Sequence, residues 1–101
     1  MRLLITGASR GLGRAMALRL ARPGAQLALC ASAPSPELES IAAECVAAGA
    51  TVLALTGDLS LPEVPQQLID GAVGRFGGLD GVVSNAGISI SWTPPPSSAR
   101  L

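Results

Sequence analysis

The sequence contains no histidine, no tyrosine and no lysine, and its seven basic residues are all arginine. Without histidine, the chain cannot form a Ser-His-Asp triad from its own residues. The seven carboxylates are scattered and form no evident catalytic pair: Glu37, Glu39, Glu44, Asp58, Glu63, Asp70 and Asp80. The sequence therefore predicts no catalytic residue within this chain.

Cysteine is scarce, and long hydrophobic runs are absent. The spacing of Cys30 and Cys45 fits neither a metal site nor a redox motif, so we interpret both as buried thiols in a reducing compartment. Too few apolar residues precede Thr6 for a signal peptide, and no apolar run approaches the length of a membrane span. A cytoplasmic location is expected, with no metal site and no membrane partner.

The charges cancel, with seven acidic and seven basic residues. This balance gives no reason to expect nucleic acid or an anionic membrane as a partner. Hydrophobic residues make up 49% of the chain and charged residues 14%, which is typical of a sequence that forms a core. The 101 residues are enough for one small domain.

Strand and helix patterns alternate along the chain. Four apolar runs are predicted as strands: Arg2–Thr6, Gln26–Cys30, Thr51–Leu55 and Gly81–Ser84. The three amphipathic segments between them are predicted as helices: Leu12–Ala21, Pro36–Ala48 and Ser60 to about Phe76. Apolar strands joined by right-handed helical crossovers predict an α/β fold, a Rossmann-type doubly wound parallel sheet with strand order 3-2-1-4. Residues 1–88 would form this half-domain. Residues 89–101 lose periodicity and are predicted as a Pro/Ser-rich loop or tail.

Local signals predict where the helices begin and which side faces the core. Ser35 is the expected N-cap of the second helix. Ser60 and Glu63 have the spacing of a capping box at the third. The first helix is expected to turn a face containing Leu12 and Met16 towards the sheet.

A glycine-rich stretch, T-G-A-S-R-G-L-G at residues 6–13, joins the first strand to the first helix. Gly7 can adopt backbone conformations that other residues avoid. Gly11 has no side chain to keep a ligand away, and Gly13 lets the helix pack close to the strand. Because the N–H groups and the positive dipole end of the helix face this turn, the stretch predicts a dinucleotide phosphate site.

Three motifs in this order resemble the short-chain dehydrogenase/reductase family. They are the glycine stretch, Asp58-Leu59 after the third strand and Asn85-Ala86-Gly87 after the fourth. The resemblance is strongest to reductases of the 3-oxoacyl-carrier-protein type. It extends over nearly the whole chain, but over less than half of the family's domain. It implies an NAD(P)-dependent oxidoreductase that transfers hydride between the cofactor and a carbonyl or hydroxyl group of a small molecule.

The resemblance also implies roles for individual residues. The glycine stretch would hold the pyrophosphate, with candidate contacts from Gly7, Ser9, Arg10, Gly11, Leu12 and Gly13. Asp58 would accept a hydrogen bond from adenine, assisted by the N–H of Leu59. Asn85 would support the sheet, while the chain at Ala86 and Gly87 would run alongside the cofactor ribose. Two alternatives remain open, since Asp58 could simply cap nearby N–H groups and Asn85 could be purely structural.

The choice of cofactor is expected to depend on the end of the second strand. NAD-preferring members have an acidic residue there, whereas this chain has Ala31 and Ser32. Arg10 and Ser32 could both bind a 2′-phosphate. NADP is therefore the predicted cofactor, with NAD as the alternative.

Family members carry a Tyr-x-x-x-Lys pair and a serine later in the domain, and this chain has neither tyrosine nor lysine. The chain is thus expected to be the inactive amino-terminal part of an oxidoreductase, whether a truncated product, an incomplete gene model or a fragment. A stand-alone nucleotide-binding or pairing module is the alternative. We also expect self-association through an open edge at the fourth strand, or through a partly covered sheet face carrying Leu53, Leu55, Val82 and Val83.

Overall fold

A computed structural model of the chain describes residues 1–86 and 89–93, with side chains as far as Val83. The elements are β1 (Arg2–Ile5), α1 (Gly11–Leu20), β2 (Gln26–Ala31), α2 (Pro36–Ala47), β3 (Thr51–Thr56), α3 (Val64–Phe76), β4 (Gly81–Ala86) and β5 (Ser89–Thr93). The strands lie in the order β3-β2-β1-β4-β5, and the first four are parallel. The predicted order 3-2-1-4 and the three helices are confirmed.

The fifth strand was not expected from the sequence. Ser89–Thr93 pairs antiparallel with β4, placing Ser89 opposite Ala86 and Thr93 opposite Val82. Ile90 and Trp92 alternate with small polar residues, a period-two pattern that the Ser-rich composition obscured. The predicted loop is therefore wrong for residues 89–93, and the expected open edge at β4 is also wrong because β5 covers it. Residues 94–101 of the predicted tail lie outside the described residues.

Helices cover both faces of the sheet. On one face α1 and α2 enclose a core of Leu3, Ile5, Ala8, Ala17, Ala25, Leu27, Leu29, Ala31, Leu38, Ile41, Cys45, Ala50 and Val83. On the other face α3 packs over Leu4, Ala28, Cys30, Val64, Leu68, Ala72, Phe76 and Leu79. Adjacent residues of one strand thus lie in different cores, which explains why the strands are apolar throughout.

The face under α3 is less completely covered. Leu53, Leu55 and Val82 are only partly buried there, in agreement with the expectation of exposed apolar surface. Val83 differs from that expectation: it is 3% exposed and belongs to the core under α1 and α2. The alternation of side chains along a strand sends Val82 and Val83 to opposite faces.

Two helices differ from the sequence prediction in their details. In α1 the buried residues are Gly13 and Ala17, whereas Leu12 is 54% exposed. Small residues let the helix approach the sheet closely, so the predicted inner face is wrong at Leu12. Helix α3 begins at Val64 without a side-chain cap. The predicted capping box is wrong because Ser60 instead bonds to Asp58.

Two other predictions, the N-cap at Ser35 and the burial of the cysteines, are confirmed. The hydroxyl of Ser35 accepts a hydrogen bond from the N–H of Leu38, as expected of an N-cap. Both cysteines are buried. Gly77 ends α3 with a φ of 82°, a conformation that favours glycine. Within the described part of the chain, no helix has the length and apolar character needed to cross a membrane.

The start of β1 is joined to the entry of β4 by Asp80. Its carboxylate accepts hydrogen bonds from the backbone N–H of Arg2 at 2.7 Å and from the Arg2 guanidinium at 3.2 Å. Its own backbone N–H donates to the carbonyl oxygen of Arg2 at 2.7 Å. The hydrogen bonds from Arg2 hold the pKa of Asp80 below its ordinary value. Because the folded-state pKa is lowered, the ionised carboxylate stabilises the fold above its ordinary pKa, and this contribution is lost as the pH falls.

Asp80→Asn is therefore expected to lower the melting temperature at pH 7. Since the Asp80 side chain is 39% exposed, solvent screening should limit the change to about 5 °C or less. Thermal melts recorded by circular dichroism should show the two proteins converging as the pH falls below about 4. A difference that stayed constant down to that pH would contradict an ionic contribution from this carboxylate.

Candidate functional site

The carboxyl ends of β1, β2 and β3 open onto a cleft of about 330 Å³. Its lining consists of Gly7, Ser9, Arg10, Cys30, Ala31, Ser32, Gly57, Asp58, Leu59, Ser60 and Leu68. Open parallel sheets bind ligands at the carboxyl ends of their strands, close to the point where the strand order reverses. Here the reversal occurs at β1, which has β2 on one side and β4 on the other.

The turn between β1 and α1 is fixed by hydrogen bonds to both neighbouring strands. The N–H of Thr6 donates to the carbonyl oxygen of Val83 at 3.0 Å, and the N–H of Ala8 donates to that of Cys30 at 3.0 Å. Gly7 and Gly11 have φ values of 61° and 62°, in the left-handed region that side chains other than glycine rarely adopt. The two glycines therefore allow the chain to turn sharply from strand to helix at the cleft.

The first turn of α1 offers a positive, uncrowded surface. A Cβ atom on Gly11 would have no neighbour within 4 Å. The helix has no acidic residue in its first turn, and no side chain caps its N-terminus. The dipole and N–H groups at this end can therefore accept an anion that approaches closely.

Arg10 brings a full positive charge to the cleft. Its side chain is exposed, and it forms no ion pair with another described residue. By contrast, Arg14 pairs with Glu44, and Arg2 pairs with Asp80. The end of β2 beside Arg10 carries Ala31 and the exposed Ser32, with no carboxylate on either.

Asp58 is held in one orientation by Ser60. One carboxylate oxygen, Oδ1, accepts hydrogen bonds from the Ser60 N–H at 2.9 Å and from the Ser60 hydroxyl at 2.6 Å. These hydrogen bonds hold the pKa of Asp58 below its ordinary value. The second oxygen, Oδ2, accepts no hydrogen bond from the described residues and can accept one from a ligand.

Gly57 shapes the cleft beside Asp58 and was not predicted as a site residue. A Cβ atom there would lie 2.6 Å from Cγ1 of Val64, so glycine permits the close approach of α3. Its N–H donates to the carbonyl oxygen of Ala31 at 3.0 Å, which joins the ends of β2 and β3. A glycine between an apolar strand and an aspartate was the available sequence signal.

Cys30, Ser60 and Leu68 also line the cleft without having been predicted. The spacing of Asp58 and Ser60 is typical of an Asx turn and could have indicated the role of Ser60. Burial raises the pKa of Cys30 to about 12, so its thiol stays protonated at neutral pH and is a poor nucleophile.

The structure brings six of the predicted cofactor contacts together: Gly7, Ser9, Arg10, Ser32, Asp58 and Leu59. Gly11 lies beside them, in a hollow that also contains Ser9 and Arg10. Leu12 and Gly13 do not line the cleft, since Leu12 projects from α1 and Gly13 is buried. Asn85 and Ala86 end β4, where their side chains are not described, and Gly87 lies outside the described residues.

Known proteins similar to this chain are oxidoreductases. The family model of the short chain dehydrogenases matches residues 2–99. The chain is 49% identical to an uncharacterised oxidoreductase of Mycobacterium tuberculosis, over 96% of the chain and 36% of that protein. It is 35% identical to a 3-oxoacyl-[acyl-carrier-protein] reductase of Staphylococcus epidermidis, over 85% of the chain and 35% of the reductase.

A solved structure with a similar fold is that of a short-chain dehydrogenase/reductase from Serratia marcescens. The TM-score is 0.79 at 38% sequence identity, and the match covers 85% of this chain and 35% of that protein. The chain thus spans about a third of the length of the proteins it matches.

Proposed function

The chain belongs to the short-chain dehydrogenase family, and we propose that it is the amino-terminal, NADP(H)-binding part of an oxidoreductase. The whole protein would transfer hydride between the nicotinamide cofactor and a carbonyl or hydroxyl group of a small molecule. When bound, the cofactor supplies or accepts the hydride. The residues of this chain bind and orient it.

The proposed preference for NADP(H) depends chiefly on the position of Arg10. Arg10 has no ion-pair partner among the described residues, and it lines the same cleft as Ser32. A guanidinium and a hydroxyl are suitable partners for the 2′-phosphate that distinguishes NADP from NAD. NAD remains the alternative, because a site without this phosphate contact can still bind the rest of the dinucleotide.

The other parts of the cleft match the remaining groups of the cofactor. The turn at Gly7 and the N-terminus of α1 at Gly11 would bind the pyrophosphate through backbone N–H groups. The Oδ2 atom of Asp58 would accept a hydrogen bond from the adenine amino group, with the N–H of Leu59 beside it. At the end of β4, Asn85 is proposed to support the sheet, while Ala86 and the following Gly87 are proposed to lie alongside a ribose of the cofactor.

We propose that this chain alone does not complete the reaction. Carbonyl reduction needs a proton donor matched to the developing alkoxide, and family members use tyrosine with a nearby lysine for this purpose. Neither residue type is present in the chain. The proposal therefore assigns the chain to cofactor binding, with the proton donor supplied by residues outside it.

Titration calorimetry is expected to give tighter binding of NADPH than of NADH. Arg10→Ala should remove this preference, with a loss of about tenfold for NADPH, because hydrogen bonds to a charged group are lost. Arg19→Ala is the matched control, since it deletes an exposed arginine in the last turn of α1. The same preparation should oxidise no NADPH in the presence of ketones.

Two results would contradict these proposals. Tighter binding of NADH, or a preference for NADPH that survives Arg10→Ala, would show that the 2′-phosphate is not recognised at Arg10. Ketone-dependent oxidation of NADPH by the pure chain would show that it carries its own proton donor.

A further inference from the structure

Two further hollows adjoin the main cleft at Arg10. One lies towards the end of β2 and is lined by Ser9, Arg10, Ala31, Ser32, Ala33, Pro34, Ser35 and Glu37. The other lies beside α1 and is lined by Ser9, Arg10, Gly11, Arg14, Pro36, Glu37 and Ser40. Glu37 is the one carboxylate that either lining contains. Glu37 therefore lines both hollows together with Arg10, the residue proposed to bind the 2′-phosphate.

The backbone at Glu37 is fixed by the start of α2. The Ser35 hydroxyl accepts a hydrogen bond from the N–H of Leu38 at 3.1 Å. The Leu38 side chain is buried, with 4% exposure, and anchors this first turn in the core. Glu37 itself is exposed and lines both hollows.

The charge of Glu37 is not neutralised by an ion pair with another described residue. Glu44, further along the same helix, pairs with Arg14 and also accepts a hydrogen bond from Ser40. Arg14 lines the same hollow as Glu37 but is already engaged by Glu44. Among the described residues around Arg10, the carboxylates without an ion-pair partner are thus Glu37, in the two hollows, and Asp58, in the main cleft.

We propose that Glu37 limits the selectivity of this site for the 2′-phosphate. This inference rests on the proposed binding of NADP(H) at Arg10. A phosphate carries close to two negative charges at neutral pH, so a carboxylate in the same hollows repels it and reduces the attraction of Arg10. The neutral 2′-hydroxyl of NAD is not repelled in this way. Glu37 thus keeps the two cofactors closer in affinity than Arg10 and Ser32 alone would allow.

The test compares two adenosine ligands that differ by one group, adenosine 2′,5′-bisphosphate and adenosine 5′-monophosphate. Binding of each to the 101-residue chain is measured by titration calorimetry. Glu37→Gln is expected to tighten the bisphosphate by about threefold, a gain typical of an exposed charge pair, and to change the affinity for the monophosphate by much less. The gain should shrink in about 0.5 M salt, where screening is strong.

Glu39→Gln is the matched control. Glu39 lies in the same first turn of α2 and is also exposed, but it lines neither hollow at Arg10. We expect it to change neither ligand. An equal gain from both variants would overturn the proposal, because it would reflect the total charge of the helix. Equal shifts of both ligands with Glu37→Gln would also overturn it, because they would reflect a structural change.

The remaining outcomes separate this inference from the proposed function. A preference for the bisphosphate that depends on Arg10 but is unaffected by Glu37→Gln would overturn the inference alone. A preference that appears only in Glu37→Gln would support the role of Glu37 and overturn the proposed preference for NADP(H). No preference in either protein would overturn both.

Discussion

Gly11→Val is expected to weaken NADPH binding by about tenfold to a hundredfold. Gly11 begins α1, and a Cβ atom at this position would have no neighbour within 4 Å. A valine side chain would occupy this space and keep the pyrophosphate from the N–H groups of the helix. Losing one hydrogen bond to a charged group costs about 1.5–3 kcal/mol, which corresponds to the expected range.

Gly24→Val separates this steric effect from backbone strain. Gly24 has a φ of 91°, and a Cβ atom there would also meet nothing within 4 Å. Both substitutions place a β-branched residue in the left-handed region, so both should destabilise the fold. Calorimetry under conditions where each variant is folded should show lost binding for Gly11→Val alone. Equal losses in the two variants would mean that strain, not access to α1, explains the effect.

Leu29→Ala is expected to destabilise the chain by about 3 kcal/mol. Leu29 is fully buried in the core under α1 and α2, between Ile5 on β1 and Ala54 on β3. Replacing a buried leucine by alanine removes apolar contacts and leaves a cavity, at a cost of about 2–5 kcal/mol. Small domains have a total stability of about 5–15 kcal/mol, so this one substitution should remove a large part of it.

Urea unfolding followed by circular dichroism measures this loss. Leu18→Ala is the control, because Leu18 is 39% exposed and belongs to neither core cluster. It should change the free energy of unfolding by much less than Leu29→Ala. Similar values for the two variants would show that β2 is not packed in the core as described.

Much of the fold could be predicted from the sequence because its signals are local. Helices α2 and α3 show apolar residues at helical spacing, and these residues are buried: Leu38, Ile41, Cys45, Val64, Leu68, Ala72 and Phe76. Apolar strands alternating with helices leave few arrangements once crossovers are right-handed. The alternation of strands with helices and the right-handed crossovers thus predicted that β1 to β4 are parallel.

The features that could not be predicted depend on contacts between distant segments. Strand β5 is weakly encoded, since its two apolar residues become a strand only by pairing with β4. The start of α3 was misplaced because Ser60 and Glu63 fit a capping box, whereas the hydroxyl of Ser60 bonds to Asp58. Local patterns specify which bonds are possible, and the tertiary structure decides between them.

The candidate site likewise contains residues that the sequence indicated and residues whose role depends on tertiary contacts. The glycine turn and Asp58 could be proposed as cofactor contacts from the sequence because their chemistry and spacing resemble a known family. The role of Gly57 became clear only from the structure, where a Cβ atom at this position would lie 2.6 Å from Cγ1 of Val64. Glu37 drew no attention in the sequence, because its relation to Arg10 depends on where α2 begins relative to the glycine turn.

The most direct test of the account is an NMR titration of the nitrogen-15-labelled chain with NADPH, following each backbone amide. If the cleft binds the dinucleotide as proposed, the largest shifts will fall in residues 7–13, with smaller ones at Ser32, Asp58 and Leu59. The chemical shifts of amides at the amino ends of the strands, such as those of Ala25 before β2 and Ala50 before β3, will stay unchanged. Shifts centred away from the glycine turn, or none at millimolar NADPH, would contradict the account.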